Sequence, residues 1–210
     1  MVPIKQLDFS VIETKAKKWY DKKDSFSNQL IEHEQKKRRR YHMVSIKFRF
    51  AQKEDVPLIL KFIYDLAQYE KLEKEVVATE ALLEEWIFEK GKAEVIFVME
   101  EEKEVGFALF FHNFSTFLGR AGIYLEDLYV MPEYRGKGYG KALLKKLAAI
   151  AVERGCGRLE WWCLDWNQPS IDFYRSLQAE AMDAWTVYRI AGDTLYKLAE
   201  TKEDGGIFTK

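Results

Sequence analysis

Arg135-Gly136-Lys137-Gly138-Tyr139-Gly140-Lys141 places three glycines and three cations between an apolar run and a helical pattern. A strand that feeds a helix through such a turn points free backbone N–H groups at one spot. The helix dipole adds partial positive charge there. Glycine suits the turn because a Cβ would hold an anion away and because such turns visit positive φ. The implied chemistry is capture of a phosphate-like anion. Two common phosphate motifs do not match. The nucleotide P-loop needs four spacers between its glycines and a Ser or Thr after its lysine; Gly136 and Gly140 are one spacer short, and Ala142 follows Lys141. The dinucleotide spacing G-x-G-x-x-G is not met by Gly136, Gly138 and Gly140 either. For the glycines alone, a plain tight connection is the alternative. Just upstream, Glu126 and Asp127 interrupt an otherwise apolar run. Buried carboxylates are costly without a role, whereas at a wet strand edge they need none.

The surrounding elements must position these groups. "IKFRFA" alternates and reads as a strand. Residues 53–72 form a helical face through Leu58, Phe62, Ile63, Leu66 and Ala67, with Pro57 in the first turn. Residues 79–91 predict a second helix capped by Thr79 and stopped at Gly91. "AEVIFVME" and "EVGFALFFH" predict a hairpin with its turn around Glu101–Lys103. "FSTFLGRAG" reads as a loop and "IYLEDLYVM" as the strand before the glycine turn. A helix follows over 138–157, with Leu143, Leu147, Ile150 and Ala151 on its apolar face. "RLEWWCLD" then reads as a strand, "QPSIDFYRSL" as a short helix and "WTVYRI" as a last strand. The order is mixed α and β, with a strand–helix–strand unit at its centre.

Composition narrows the class. The chain has 210 residues and a net charge of −1, which does not mark it as a nucleic-acid binder. Residues 1–45 carry eleven basic against six acidic groups, and the remainder is acidic. Residues 1–43 are polar, with too few apolar side chains for a core, and read as an extension. Its basic run Lys36–Arg40 reads as a solvated tail, with nucleic acid or an acidic membrane as the alternative. The compact domain is expected over 44–200, followed by a tail over 201–210. No apolar run approaches membrane-spanning length, so a cytoplasmic setting is the expectation, without membrane or nucleic-acid partners. His33, His42, His112, Cys156 and Cys163 fall at no metal-ligand spacing, so no metal is expected.

Three blocks in order, "LAQYEKL", "YLEDLYVMPEYRGKGYG" and "LDWNQPSIDFY", resemble the GNAT N-acetyltransferase superfamily over about residues 46–199. Within it they are similar to the diamine branch, which acetylates spermidine, spermine or thialysine. The resemblance implies an α/β fold: a mixed, twisted, mostly antiparallel sheet with a central splayed parallel strand pair, flanked by helices. It implies acetyl-coenzyme A as co-substrate, a small primary amine as acceptor, direct transfer in a ternary complex, and a homodimer. Backbone groups of Leu128, Tyr129 and Val130 would take the pantetheine arm. Arg135, Gly136, Lys137, Gly138, Tyr139, Gly140 and Lys141 would hold the phosphates. Asn167, Ser170 and Tyr174 would complete the coenzyme site, with the Tyr174 phenol protonating the departing thiolate. Glu126 would hold the acceptor ammonium and take its proton, and Tyr69, Glu70, Asp127 and Trp162 would line the acceptor side. Cys156 and Cys163 have no adjacent activating partner, which leaves direct transfer rather than a covalent enzyme intermediate.

Two positions depart from the branch. Ser115 stands where the polyamine enzymes carry an acidic residue, which favours short amines over long polycations. Gln178 stands where glycine usually ends the helix, and positive φ is uncommon for such a residue. A coenzyme-sensing module without catalysis, or acetylation of protein lysines, are the competing readings.

Overall fold

The computed structural model describes residues 46–200. The expected extension over 1–43, with Lys36–Arg40, and the tail over 201–210 lie outside the described residues. The chain divides into two compact units, one ending at Trp162 and one beginning at Cys163.

The first unit is a five-stranded sheet in the order β1-β2-β3-β4-β5. Its strands are β1 (Lys47–Phe50), β2 (Glu94–Glu100), β3 (Lys103–Ser115), β4 (Arg120–Val130) and β5 (Leu159–Trp161). The first four pair antiparallel; β4 and β5 run parallel. The β2–β3 hairpin turns where expected, with Glu101 at φ +56. Strands β3 and β4 are longer than the sequence pattern suggests. Most of the expected loop over 114–122 is ladder, with Ser115 opposite Arg120 and Gly119 at φ +63 in the tight turn between them. Arg and Asn at such strand ends obscure the period-2 signal without preventing pairing.

Helix α1 (Val56–Glu70) covers one face of the sheet. Phe62 is 1% exposed and stacks on Phe107 at 5.4 Å, with Phe97 at 6.1 Å and Tyr129 at 5.9 Å. Ile59 rather than Leu58 is fully buried on this face. Burying a side chain such as Phe62 contributes roughly 1.5–3 kcal/mol. The helix ends at Lys71, which adopts φ +62 and returns its N–H to Ala67 and Gln68 carbonyls. The expected second helix begins with Thr79 as cap, its Oγ1 accepting from the Leu82 N–H at 3.3 Å. It is α-helical only over α2 (Glu80–Leu83) and then widens to a π turn over Glu84–Glu89. Helix α3 (Tyr139–Glu153) lies on the other face, with Leu143 and Leu147 fully buried.

The second unit holds α4 (Gln168–Ser176) and α5 (Asp193–Glu200). The last strand expected over 185–190 is absent: no ladder among the described residues takes it, and Trp185 and Tyr188 are 69% and 91% exposed. Alternation marks a segment able to pair but does not supply a partner. The parallel pair β4/β5 therefore lies at the sheet edge rather than at its centre. The fifth strand is also shorter than "RLEWWCLD", because it leaves β4 after Trp161. No described helix is long and apolar enough to cross a membrane.

The close approach of β3 to β4 gives a stability test. A Cβ on Gly106 would lie 2.5 Å from the Tyr129 carbonyl oxygen and 3.1 Å from Val130 Cα, backbone atoms fixed by the ladder. The atoms nearest a Cβ on Gly157 are Leu118 and Arg120 side-chain carbons, at 2.8 to 3.0 Å, which can shift more readily than backbone. Gly106→Ala is expected to cost about 1–3 kcal/mol and Gly157→Ala much less. Urea unfolding midpoints of the two variants check this; equal losses contradict it.

Candidate active site

Strand β4 ends at Val130, and a short 3-10 turn over Pro132–Tyr134 delivers the chain to the glycines. Gly136 and Gly138 adopt φ +75 and +93, where a side chain is strained. A Cβ on either would meet no protein atom within 4 Å, so the space above this backbone is open. Gly138 caps α3 without any side-chain cap. The successive amides from Gly136 through Lys141 donate to no backbone carbonyl among the described residues. An open concavity of free N–H groups at the positive end of a 15-residue helix fits a phosphate.

The cations around the turn are not equivalent. Arg135 turns back along β4: its Nε donates to the Val130 carbonyl at 2.9 Å, and its guanidinium lies over Tyr69 at 4.8 Å and over Tyr129 at 5.4 Å. Lys137 lies 3.5 Å from Glu100 and over the Tyr134 ring at 4.6 Å. Lys141 is exposed on the first turn of α3. The Tyr139 side chain is buried, and its hydroxyl donates to Glu100 at 2.7 Å. That bond, with Lys137 nearby, holds the Glu100 carboxyl below the usual range, while burial and the same carboxylate raise the Tyr139 phenol. Glu100 thus braces the start of α3. Nothing in the sequence marks it, since it looks like one more acid in the polar turn after β2.

The edge of β4 is the second feature. Its ladder with β5 runs from Ile123↔Leu159 to Leu125↔Trp161 and stops. Across β3 the register passes from Leu109↔Asp127 to Phe110↔Leu125, so Glu126 is an extra residue, a β-bulge. The bulge exchanges which residues face which edge. Ile123 donates its N–H toward β5, to Arg158, whereas the Tyr129 carbonyl lies beside Gly106 on β3. Alternation then turns the backbone groups of Leu128 and Val130 toward the edge that β5 has left. Arg135 occupies the Val130 carbonyl. Of the three residues expected to take the pantetheine arm, Leu128 and Val130 therefore face the open edge. Tyr129 faces β3, with its side chain in the core.

The residues expected on the acceptor side come from β4, the end of α1 and the residue after β5. Asp127 shares the α1 face of the sheet with Tyr129 and with its cross-strand partner Leu109. Glu70 ends α1, and Tyr69 lies beside it under the Arg135 guanidinium. Burial pushes the Asp127 carboxyl up to about 7, with Glu126 and then Glu70 adding like-charge repulsion. Burial raises Glu70 as well. Glu126 itself is exposed. Trp162 is 55% exposed and meets Tyr124 edge-on at 5.7 Å. Ser115 does not belong to this group. It sits opposite Arg120, roughly 20 Å along β4 from Asp127 at ~3.3 Å per residue. Its hydroxyl accepts from the Leu118 N–H at 3.2 Å inside the hairpin turn. Within one chain, Ser115 therefore lies too far away to bear on the length of an acceptor held at Asp127.

In the second unit, Asn167 caps α4, its Oδ1 accepting from the Ser170 N–H at 3.4 Å. Tyr174 lies one turn beyond Ser170, beside Phe173 at 5.4 Å between ring centres. Gln178 adopts φ +64, and the Ala179 N–H closes the helix end on the Tyr174 carbonyl at 3.2 Å. The left-handed turn that glycine usually supplies therefore forms with glutamine. Among the described residues, no group of three or more His, Cys, Asp or Glu side chains is arranged to hold a metal.

The acetyltransferase (GNAT) family description matches residues 60–178. A thialysine N-epsilon-acetyltransferase from Bos taurus is 37% identical over 169 residues, covering 75% of this chain and 99% of that protein. An L-ornithine N5-acetyltransferase from Arabidopsis thaliana is 32% identical, covering 73% of this chain and 88% of that protein. Among solved structures, an integron cassette protein from the mobile metagenome of V. cholerae superposes with a TM-score of 0.64 at 32% identity, covering 75% of this chain and 99% of that one. With the glycine turn, the bulged strand and the parted parallel pair in one chain, this protein is an N-acetyltransferase of the GNAT family.

Proposed function

We propose that the protein transfers acetyl from acetyl-coenzyme A to the side-chain amine of a small diamino compound, of the thialysine or ornithine type. The observation that carries the reading is the joining of an anion cradle and a carboxylate group by a single stretch of β4 and its turn, Glu126 to Lys141. The names of the two relatives support the acceptor class, since both denote acetylation of a diamino acid at its side-chain nitrogen. The resemblance of the sequence blocks supports acetyl-coenzyme A as the donor, and a homodimer.

In this reading the amides of Gly136–Lys141 and the Lys137 ammonium hold the diphosphate. The Leu128 carbonyl and the Val130 N–H pair with the amides of the pantetheine arm, as an added strand would, while Arg135 keeps the Val130 carbonyl. The Leu128 N–H polarises the thioester carbonyl. Glu70, Glu126 and Asp127 attract the acceptor ammonium, which must lose a proton before nitrogen can attack, since a free alkylamine titrates near ~10.4. The resemblance supports Asn167 and Ser170 as further coenzyme contacts and Tyr174 as the acid for the thiolate.

Thiol release from acetyl-coenzyme A, measured with L-ornithine, thialysine, 1,3-diaminopropane, spermidine and a lysine peptide, tests the reading. A specificity constant for ornithine or thialysine at least tenfold above the peptide is expected, with product mass showing a single side-chain acetyl group. Turnover confined to the peptide contradicts it, and coenzyme binding with no turnover on any amine favours a sensing module. Gly138→Val tests the cradle. The added Cβ would meet no protein atom within 4 Å, so the expected loss comes from strain at φ +93 and from exclusion of the anion. Calorimetry is expected to show coenzyme A binding weakened by at least about tenfold, the equivalent of one lost charge-assisted hydrogen bond. Unchanged binding by a folded variant removes the turn from the coenzyme site.

A further inference from the structure

We propose that the Arg135 guanidinium receives the α-carboxylate of a diamino acid acceptor, and so makes this chain select diamino acids over diamines of the same length. The inference deepens the acetyl-transfer reading above and rests on it.

Arg135 opens the glycine turn, yet its side chain runs back along β4, where its Nε donates to the Val130 carbonyl at 2.9 Å. The guanidinium lies over the Tyr69 ring at 4.8 Å and over the Tyr129 ring at 5.4 Å. Tyr69 belongs to the last turn of α1, so this cation of the coenzyme turn stands on the side expected to take the acceptor. Three contacts hold it there before any ligand arrives. They leave its outer edge over. Among the described residues, neither terminal nitrogen of Arg135 makes a hydrogen bond or an ion pair, and the residue is exposed. Such a planar fork matches a carboxylate through two parallel hydrogen bonds. Fixing the fork in advance lowers the ordering cost of that match.

The neighbouring charges say what kind of molecule brings the carboxylate. Glu70 follows Tyr69 at the end of α1, and both Glu70 and Glu126 bear on Asp127 in the bulge. Among the described residues, none of these three carboxylates makes a hydrogen bond or an ion pair, with Arg135 or with any other group. A cation and several anions on adjoining elements, not closed on one another, suit a ligand that itself carries both signs. A diamine brings ammonium groups only, which the carboxylates attract and Arg135 repels. A diamino acid adds a carboxylate on the same carbon as its α-ammonium. With that carboxylate on Arg135, the α-ammonium falls toward Glu70, the residue after the ring beneath the guanidinium. The side-chain amine is then left free to extend toward β4 and the thioester.

Three acceptors read this directly. L-ornithine and 1,4-diaminobutane differ only by the carboxylate, and L-ornithinamide keeps the size of L-ornithine without the negative charge. At saturating acetyl-coenzyme A, the wild-type kcat/KM for L-ornithine is expected to exceed that for either analogue by at least about tenfold, as one charge-assisted pair of hydrogen bonds implies. This comparison needs no variant, so no folding defect can blur it. In Arg135→Gln the preference should fall toward unity, because the carboxylate loses its partner while the diamine loses only a repulsion. A wild type that uses 1,4-diaminobutane or L-ornithinamide as well as L-ornithine overturns the assignment. So does an Arg135→Gln variant that slows equally on all three compounds, as loss of a phosphate ligand or of a plain brace would make it. If no amine is turned over, the acetyl-transfer reading fails, and calorimetry on the protein saturated with coenzyme A decides the assignment separately. Tighter binding of L-ornithine than of 1,4-diaminobutane, lost in Arg135→Gln, upholds it; equal or absent binding overturns it.

Discussion

Everything at the site depends on β4 losing its neighbour. Up to Leu125 the strand is hydrogen-bonded on both sides, and from Glu126 to Val130 it is paired on the β3 side only. The extra residue at Glu126 causes the change, because an inserted residue exchanges the edge toward which each later backbone group points. Without it, the groups of Leu128 would face β3. An unpaired parallel edge inside a protein is a liability unless something fills it. Here that same edge leads into an open turn of free amides, so one continuous stretch of backbone offers donors and acceptors of the kind the proposed coenzyme, extended, anionic and amide-bearing, would need.

The residues around this stretch divide between stiffening and chemistry. Arg135 is held by the Val130 carbonyl and by the faces of Tyr69 and Tyr129, which ties the start of the turn to the end of α1. Glu100 takes the Tyr139 hydroxyl and lies near Lys137, bracing the start of α3. Both arrangements fix the amide cradle before any ligand arrives, which lowers the ordering cost of binding. The carboxylates of Glu70, Glu126 and Asp127 make no such contribution. Like charges brought together on a partly buried face destabilise the fold, and strain of this kind collects where function requires it.

Much of this is legible in the chain because local chemistry dictates it. Gly136 and Gly138 announce positive φ, Thr79 and Asn167 announce helix starts, and the period of 3.6 over 139–153 announces α3. What escapes sequence reading depends on register or on partners. The bulge cannot be seen in "YLEDLYV", because one extra residue is defined only against Phe110 and Leu109 on the facing strand. For the same reason, whether Leu128 or Tyr129 offers its backbone to the open edge waits on the ladder. Ser115 falls in the segment just before the "YLED" block, yet its register opposite Arg120 carries it to the far end of the hairpin. "WTVYRI" has the composition of a strand and no strand to pair with. Gln178 shows the reverse case: a residue ill-suited to the left-handed region adopts it because the closing bond to Tyr174 and the end of α4 fix the turn.

The proposed function requires that the parted edge of β4 and the glycine turn form one coenzyme-binding surface. Amide hydrogen exchange of the full chain, with and without coenzyme A, tests it residue by residue. Exchange at Leu128 and across Gly136–Lys141 should slow together on adding coenzyme A, while the amides of Tyr129 and Met131, bonded toward β3, stay as they were. Protection confined to other segments, or slowing at the turn with none at Leu128, would contradict it.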